Sequence, residues 1–424
     1  MTTAIILVVL ALLGVPLFVV IASGALVGYY TSEIDLSAIA IEFYRIAEMP
    51  VLIAIPLFSF AGYVLSESNA PKRLLRMTNA FLGWAPGGLA IVAIVASAML
   101  TALTGASGVT IVALGALLYP AMAQAGYREN FNLGLITSAG SLGLLFAPSL
   151  PLILYGVIAQ QMSLGGDPFT LDDMFLAGIM PGILMMGLLA LWSYWKNRDN
   201  ELTTFSWVRA RDALIEAKWE LPLPFIIIGG IYSGYFAISE AAAVTALYVV
   251  IVEVFILREI PLPKLPDVAR NSMVLVGGIL VILGVSLAST NVLIDNGVPD
   301  RMFEFIRSHI DDKLTFLIML NIFLLLLGAM LDIFSALVLM VPLLLPIAIG
   351  YGIDPVHFGI IFLANMQLGY FTPPVGMNLF IASYRFAKPV MQLYRATLPF
   401  FFILLLAVLI ITYWPGLSLG LPGR

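Results

Sequence analysis

The chain has 424 residues, of which 61% are hydrophobic and only 11% charged, with a net charge of −5 and no cysteine. Ordinary soluble domains carry about 25% charged residues, so this composition excludes a water-soluble enzyme and describes an all-α polytopic membrane protein; a membrane barrel would need short alternating segments instead. Without cysteine there is no disulfide, thiolate metal site or catalytic thiol, and so sparse a charge set offers no nucleic-acid surface.

In chain order, Ile5 to Tyr30 reads as a spanning helix, too long and without the basic start of a cleavable signal. Thr31 to Met49 is an acidic amphipathic connection with Glu33, Asp35, Glu42 and Glu48. Pro50 to Leu65 spans, and Lys72, Arg73 and Arg76 follow in a polar loop. Gly87 to Ala123 is apolar throughout, with Thr101-Ala-Leu-Thr-Gly-Ala-Ser-Gly108 at its centre. Small and hydroxyl residues there suit the tip of a re-entrant helical hairpin, or close helix packing. Asn130 to Gln160 spans but is broken near Ala147–Pro151. A loop from Ser163 to Asp173 carries three Asp. Met174 to Tyr194 spans back to the polar loop Lys196–Glu220. Leu221–Tyr235 and Ala241–Leu257 flank a turn at Ile238–Ala243; Glu240 there suits a helix N-terminus, and Glu253 snorkels toward the interface. A basic loop, Arg258–Arg270, leads to a span over Ser272–Leu293 and a surface helix within Asp295–Lys313. Leu314 to Ile349 is a second hairpin with Asp332 and Ser335 near its centre. Pro355 to Ser383 spans, interrupted by Thr372, Pro373, Pro374 and Gly376, with His357 at its start near the surface. Leu398 to Tyr413 is the last span.

Moving the chain by 226 positions superposes Pro120 on Pro346, Gly126 on Gly352, Leu142 on Leu368, Gly143 on Gly369 and Pro148 on Pro374. Five ungapped matches indicate an internal duplication. The sequence divides accordingly into N-terminal scaffold helices (1–86), the first half of a transport domain (87–160), scaffold and arm helices (161–313), the second half (314–388) and a C-terminal helix (389–424). With both long apolar stretches re-entrant and the N-terminus cytoplasmic, 15 of the 20 Lys and Arg residues fall on the cytoplasmic side and 5 outside, as the positive-inside rule requires. The hairpins then open to opposite faces, an inverted repeat, and the C-terminus is periplasmic.

Irregular backbone survives at membrane depth only where protein or a watery cavity satisfies it. Paired Gly/Pro interruptions in two halves therefore point to an ion and substrate site. Hydroxyls of Thr104 and Ser107 at the first tip can ligate Na+, a hard cation that prefers oxygen, or back-bond to their helix. Gly143, Phe146 and Pro148 on the first broken helix, and Gly369, Thr372 and Pro374 on the second, would add backbone carbonyls. Asp332 is an acid deep in an apolar stretch; it lies near a cation, caps a half-helix, or both. Ser141, Ser149 and Asn378 are candidate substrate contacts, Asn378 equally a brace for the break. No Walker-type phosphate loop, HExxH or GxSxG is present, so ATP does not drive the chain directly, no enzyme activity is expected, and no cofactor is expected beyond Na+ as coupling ion.

FTPPVGMNLF at 371–380, the SEAAA run at 239–243 and TGASGVTIVALGALLYPAMAQAGY at 104–127 resemble the large membrane (M, DctM-like) subunit of TRAP transporters, over nearly the whole chain. The first tip, TGASG, departs from the family's more usual serine-rich run, and FAPSLP replaces its usual double proline. The resemblance implies a Na+-driven elevator-type symporter in the bacterial inner membrane. It implies a small four-helix Q subunit, a periplasmic substrate-binding protein and an organic-acid substrate. The alternative is a standalone ion-coupled organic-anion symporter with no binding protein.

Overall fold

The computed structural model describes residues 6–7, 9–10, 13–162, 169–198 and 205–424, and the described residues are helical with no strand. The expected first span, Ile5–Tyr30, starts outside the described residues, and the described part is helical at 6–7 and 9–10 but interrupted at 13–16. Gly14 takes a left-handed φ of +81° and Pro16 precedes helix α1, Leu17–Thr31. α2 (Ser37–Ala47) is followed by Met49, held extended by Pro50, and by a tight turn into α3, Ala54–Glu67. The segment read as a polar loop is helix α4, Ala70–Leu82, whose Leu74 and Met77 are buried while Lys72 is exposed. Its apolar residues recur at helical spacing, but the charges between them lower the average hydropathy to that of a loop.

The first hairpin is α5 (Gly88–Thr104) and α6 (Ser107–Gln124). Gly105, at φ +65°, turns the chain between them, and the Thr101 and Thr110 hydroxyls face each other across the turn at 2.7 Å. The first broken helix is α7 (Glu129–Ala139), a 3-10 turn (Leu142–Leu145) and α8 (Leu150–Gln161); its halves are bent by 42°. α9 (Leu171–Lys196), α10 (Trp207–Glu216), α11 (Pro222–Tyr232), α12 (Ile238–Ile256) and α13 (Leu265–Asp295) follow. α14 (Val298–Arg307) is amphipathic. The second hairpin is α15 (Lys313–Met330) and α16 (Ile333–Gly350). Its base is closed by stacked Phe316 and Tyr351 rings 4.4 Å apart and by Lys313 Nζ donating to the Gly352 carbonyl. α17 (Pro355–Gly369) and α18 (Met377–Phe386) form the second broken helix, and α19 (Val390–Tyr413) and α20 (Gly416–Leu419) close the chain. Eight helices among the described residues are long and apolar enough to cross a membrane, or nine with the bent pair counted as one span.

The 226-residue offset organises more than the hairpins. Ser107–Gln124 lands on Ile333–Gly350, the Glu129 helix start on Pro355, and α4 on α14. α1 lands on α12, and α3 falls within α13. Gly126 and Gly352 are both left-handed, and the cis peptides Ala147–Pro148 and Pro373–Pro374 occupy equivalent positions. The halves differ where Pro50 separates α2 from α3, because the equivalent stretch of α13 is one continuous helix.

Polar contacts define two faces. One carries the hydrogen-bonded pairs Lys264–Glu67 and Gln392–Asn130, the Lys388–Glu129 ion pair, and Arg73 with three glutamates. The other carries Arg424 with Asp354 and Asp173, the Tyr232–Asp172 contact, and Asn296 with Ser32. Each joins residues that the charge distribution assigns to the same side. Two sequence expectations are corrected here. Glu253 does not snorkel: it is 1% exposed and bound by Arg73. His357 is buried rather than superficial, against the Ser418 hydroxyl and the Thr412 carbonyl. Glu240 does accept the Ala237 N–H at the start of α12.

Candidate ion and substrate site

The hairpin tips meet the helix breaks in pairs. At the first pair, the Thr101 hydroxyl lies 2.7 Å from the Gly140 carbonyl, and Gly143 sits against the backbone of Ala98 and Ala102. Gly105 packs on Leu150, the first residue after the break. At the second pair, Gly376 N–H donates to the Ala329 carbonyl at 3.0 Å and Gly369 lies against Gly328. The Ile333 N–H, at the start of α16, donates to the buried Tyr370 hydroxyl at 2.8 Å.

Each sequence-derived residue has a definite place. Asp332 caps α16, one carboxylate oxygen accepting from Phe334 and Ser335 N–H at 3.0 Å and the other from the Ser335 hydroxyl. Ser107 donates its hydroxyl proton to Asn378 Oδ1 at 2.7 Å, joining the first tip to the second broken helix. Asn378 is fully buried, and its Nδ2 reaches the Thr137 carbonyl at 3.4 Å. Thr372 donates to the Leu368 carbonyl at 2.8 Å, and Ser149 to the Leu144 carbonyl at 2.5 Å. Gly143, Phe146 and Gly369 carbonyls each accept one backbone N–H within their break, and the Pro374 carbonyl accepts from the Tyr394 hydroxyl. Thr104 is buried with contacts no shorter than 3.4 Å. Ser141 Oγ lies 3.4 Å from the Gln367 carbonyl, 226 positions along the chain, so the two repeats touch at equivalent residues.

This arrangement suits a cation. Ser107 and Thr372 spend their protons on protein acceptors, so each oxygen presents only lone pairs outward, and a carbonyl that accepts one hydrogen bond retains a second lone pair. The breaks differ in exposure: Pro148 and Ser149 are buried, whereas Pro373, Pro374 and Val375 are exposed. An apolar groove of about 270 Å³ runs beside Phe146–Pro148, and one of about 240 Å³ beside Phe371–Pro373 and Tyr394. Sequence reasoning missed Thr101, Thr110, Tyr370 and Gln367. Thr101 and Thr110 were legible in principle, as hydroxyls flanking the tip.

Two hairpins and two interrupted helices related by an inverted repeat define the class, a polytopic helical membrane protein of transporter fold. The crystal structure of the Alcanivorax borkumensis YdaH transporter has this fold, with a TM-score of 0.66 at 15% identity over 91% of this chain and 89% of that one. Residues 4–417 match the family described as tripartite ATP-independent periplasmic transporter, DctM component, and the chain belongs to that family. It is 35% identical to the C4-dicarboxylate TRAP transporter large permease protein DctM of Pseudomonas aeruginosa, over 95% of this chain and 93% of that protein. It is 30% identical to the ectoine/5-hydroxyectoine TRAP transporter large permease protein UehC of Ruegeria pomeroyi, over 98% and 96%. It is also 33% identical to the isethionate TRAP transporter permease protein DctMQ of Oleidesulfovibrio alaskensis, spanning 95% of this chain but 62% of that protein's length.

Proposed function

We propose that the chain is the large membrane subunit of a Na+-coupled importer for a C4-dicarboxylate or related small organic acid, in the bacterial inner membrane. The basic face is cytoplasmic, with the N-terminus on that side and the C-terminus periplasmic. A small Q subunit and a periplasmic binding protein complete the assembly, the latter delivering the substrate. Residues 87–160 and 314–388 move as one body against the remaining helices in an elevator mechanism. Na+ is held at two oxygen-rich junctions. Thr104, Ser107, Gly143, Phe146 and Pro148 form one; Asp332, Gly369, Thr372 and Pro374 form the other. Substrate sits between them, near Ser141, Ser149 and Asn378.

The observation that carries the reading is the pairing of each hairpin tip with the helix break of its own half, joined across the repeat by Ser107–Asn378 and Ser141–Gln367. The equivalent breaks differ in exposure in the isolated chain, Pro148 and Ser149 buried against Pro373, Pro374 and Val375 exposed, an asymmetry of the kind alternating access requires. The first test is uptake of succinate into proteoliposomes containing the chain with its small membrane subunit. Uptake is expected only with both an inward Na+ gradient and added binding protein; uptake without the binding protein would instead identify a standalone symporter. Asp332→Ala, Ser107→Ala and Thr372→Ala are each expected to raise the Na+ concentration for half-maximal uptake by about tenfold, the equivalent of about 1.4 kcal/mol. Unchanged Na+ dependence in all three would remove the assignment.

A further inference from the structure

Most buried polar groups at the junction are firmly bonded inside the protein. Thr137 and Ser138 back-bond to their helix at 2.6 and 2.8 Å, and Ser107, Ser149, Thr372, Tyr370 and Asn378 are placed as above. Three are not. The Thr104 and Ser141 hydroxyls have contacts of only 3.3–3.5 Å, beyond the range of a good O–H···O bond. Gln367 is more extreme: it is 0% exposed, yet neither Oε1 nor Nε2 has a partner.

Its position makes that absence informative. Gln367 lies two residues before the end of α17, and Tyr370, one helical turn on, lies on the same face. The Tyr370 hydroxyl bonds the Ile333 N–H at the second tip, and the Gln367 carbonyl faces Ser141 at the first break. Gln367 therefore stands on the stretch of α17 that meets both the second hairpin tip and the first break. A primary amide kept there with no bonds loses its hydration without return, and an apolar residue of the same shape would cost the fold nothing.

We propose that Gln367 is a substrate-contacting, specificity-determining residue. Its Nε2 donates to a carboxylate oxygen of the cargo, and its Oε1 is left to accept from a hydroxyl or ammonium group on acids that carry one, with the Ser141 hydroxyl completing the subsite. This rests on the transport reading above and adds to it a residue that no tip or break motif indicates. A donor–acceptor pair discriminates among small acids that share a carboxylate but differ in the neighbouring polar atom.

The test compares Gln367→Leu and Gln367→Glu with the parent, each assembled with the small membrane subunit. Two quantities are read: the thermal unfolding midpoint in detergent, and succinate uptake at saturating binding protein and Na+. Gln367→Leu is expected to keep or raise the midpoint while uptake falls at least about tenfold. Gln367→Glu, which sets a carboxylate against the carboxylate of the probe, is expected to lose more. A lowered midpoint in Gln367→Leu, whatever its uptake, would make the amide a structural core group and overturn the proposal, as would normal uptake in both variants. If the parent protein takes up no succinate under a Na+ gradient, the assignment of a C4-dicarboxylate cargo fails separately. The midpoint of Gln367→Leu still decides the role of the amide, since a fall marks a bonded core group.

Discussion

Replacing Arg73 by alanine is expected to destabilise the protein by about 3–5 kcal/mol, the cost of leaving buried charges without their partner. One guanidinium serves three carboxylates: Nε meets Glu220 at 2.6 Å, Nη2 meets Glu253 at 2.9 Å, and Nη1 pairs with Glu259. The Glu220 and Glu253 side chains are 1% exposed, so water cannot take over. By contrast Arg76 and Glu216 pair at 2.9 Å with side chains 54% and 45% exposed, and Arg76→Ala should cost no more than about 1 kcal/mol. Arg73→Lys should fail almost as badly as Arg73→Ala, because one ammonium cannot reproduce the planar fork. The pH dependence has a definite sign. Burial already holds the Glu220 carboxyl above its usual range, against the pull of Arg73, and removing the guanidinium removes that pull. A carboxyl raised in the folded state gives stability that is complete below its unfolded value of about 4.3 and is lost as pH rises through the folded value. Arg73→Ala should therefore unfold at a midpoint lower than the parent by at least about 5 °C at pH 8, with the deficit narrowing at pH 5.5. A deficit that does not change with pH would mean that lost packing, not orphaned charge, is the cause.

The cluster also shows which parts of the fold the sequence conceals. Arg73 stands on an amphipathic helix between two membrane segments, and its partners lie 147, 180 and 186 residues away. No local pattern announces such a pairing, and Glu253 beside a span end resembles a snorkelling residue. The duplication, in contrast, was legible at Gly143/Gly369 and Pro148/Pro374, where backbone geometry restricts the residue. It was illegible over α1/α12 and α3/α13, where lipid and helix neighbours accept Leu, Val, Ile or Ala alike and hydropathy alone is retained. The site divides in the same way. Asp332 and the tip hydroxyls stand out against apolar surroundings, whereas Gln367 precedes the break inside an ordinary helix and shows its character only through its missing partners.

Gly143→Ala is expected to reduce uptake by about a hundredfold, and Gly369→Ala by a similar factor, because in each case the hairpin and the break touch backbone to backbone. A Cβ on Gly143 would lie 2.2 Å from the Ala98 carbonyl oxygen and 2.4 Å from the Ala102 nitrogen; on Gly369 it would lie 2.5 Å from the Gly328 carbonyl carbon. These neighbours are main-chain atoms, so no rotamer change makes room, and the tip must withdraw by about 1 Å to restore ordinary contact. Withdrawal strains the bonds that fix each tip, Thr101 to Gly140 in the first half and Gly376 N–H to Ala329 in the second. It also pulls apart the oxygens of the proposed Na+ sites, and displacements of this size at a reacting centre cost about 10²-fold. Gly187, Gly277 and Gly278 are the controls, since a Cβ there meets nothing within 4 Å. Alanine at those positions should leave uptake unchanged and stabilise the helix by about 0.5–1 kcal/mol. Normal uptake in Gly143→Ala and Gly369→Ala would mean that the tips need not touch the breaks for transport, and the ion sites would have to be sought elsewhere. If only one variant fails, the two junctions are unequal in function as well as in exposure.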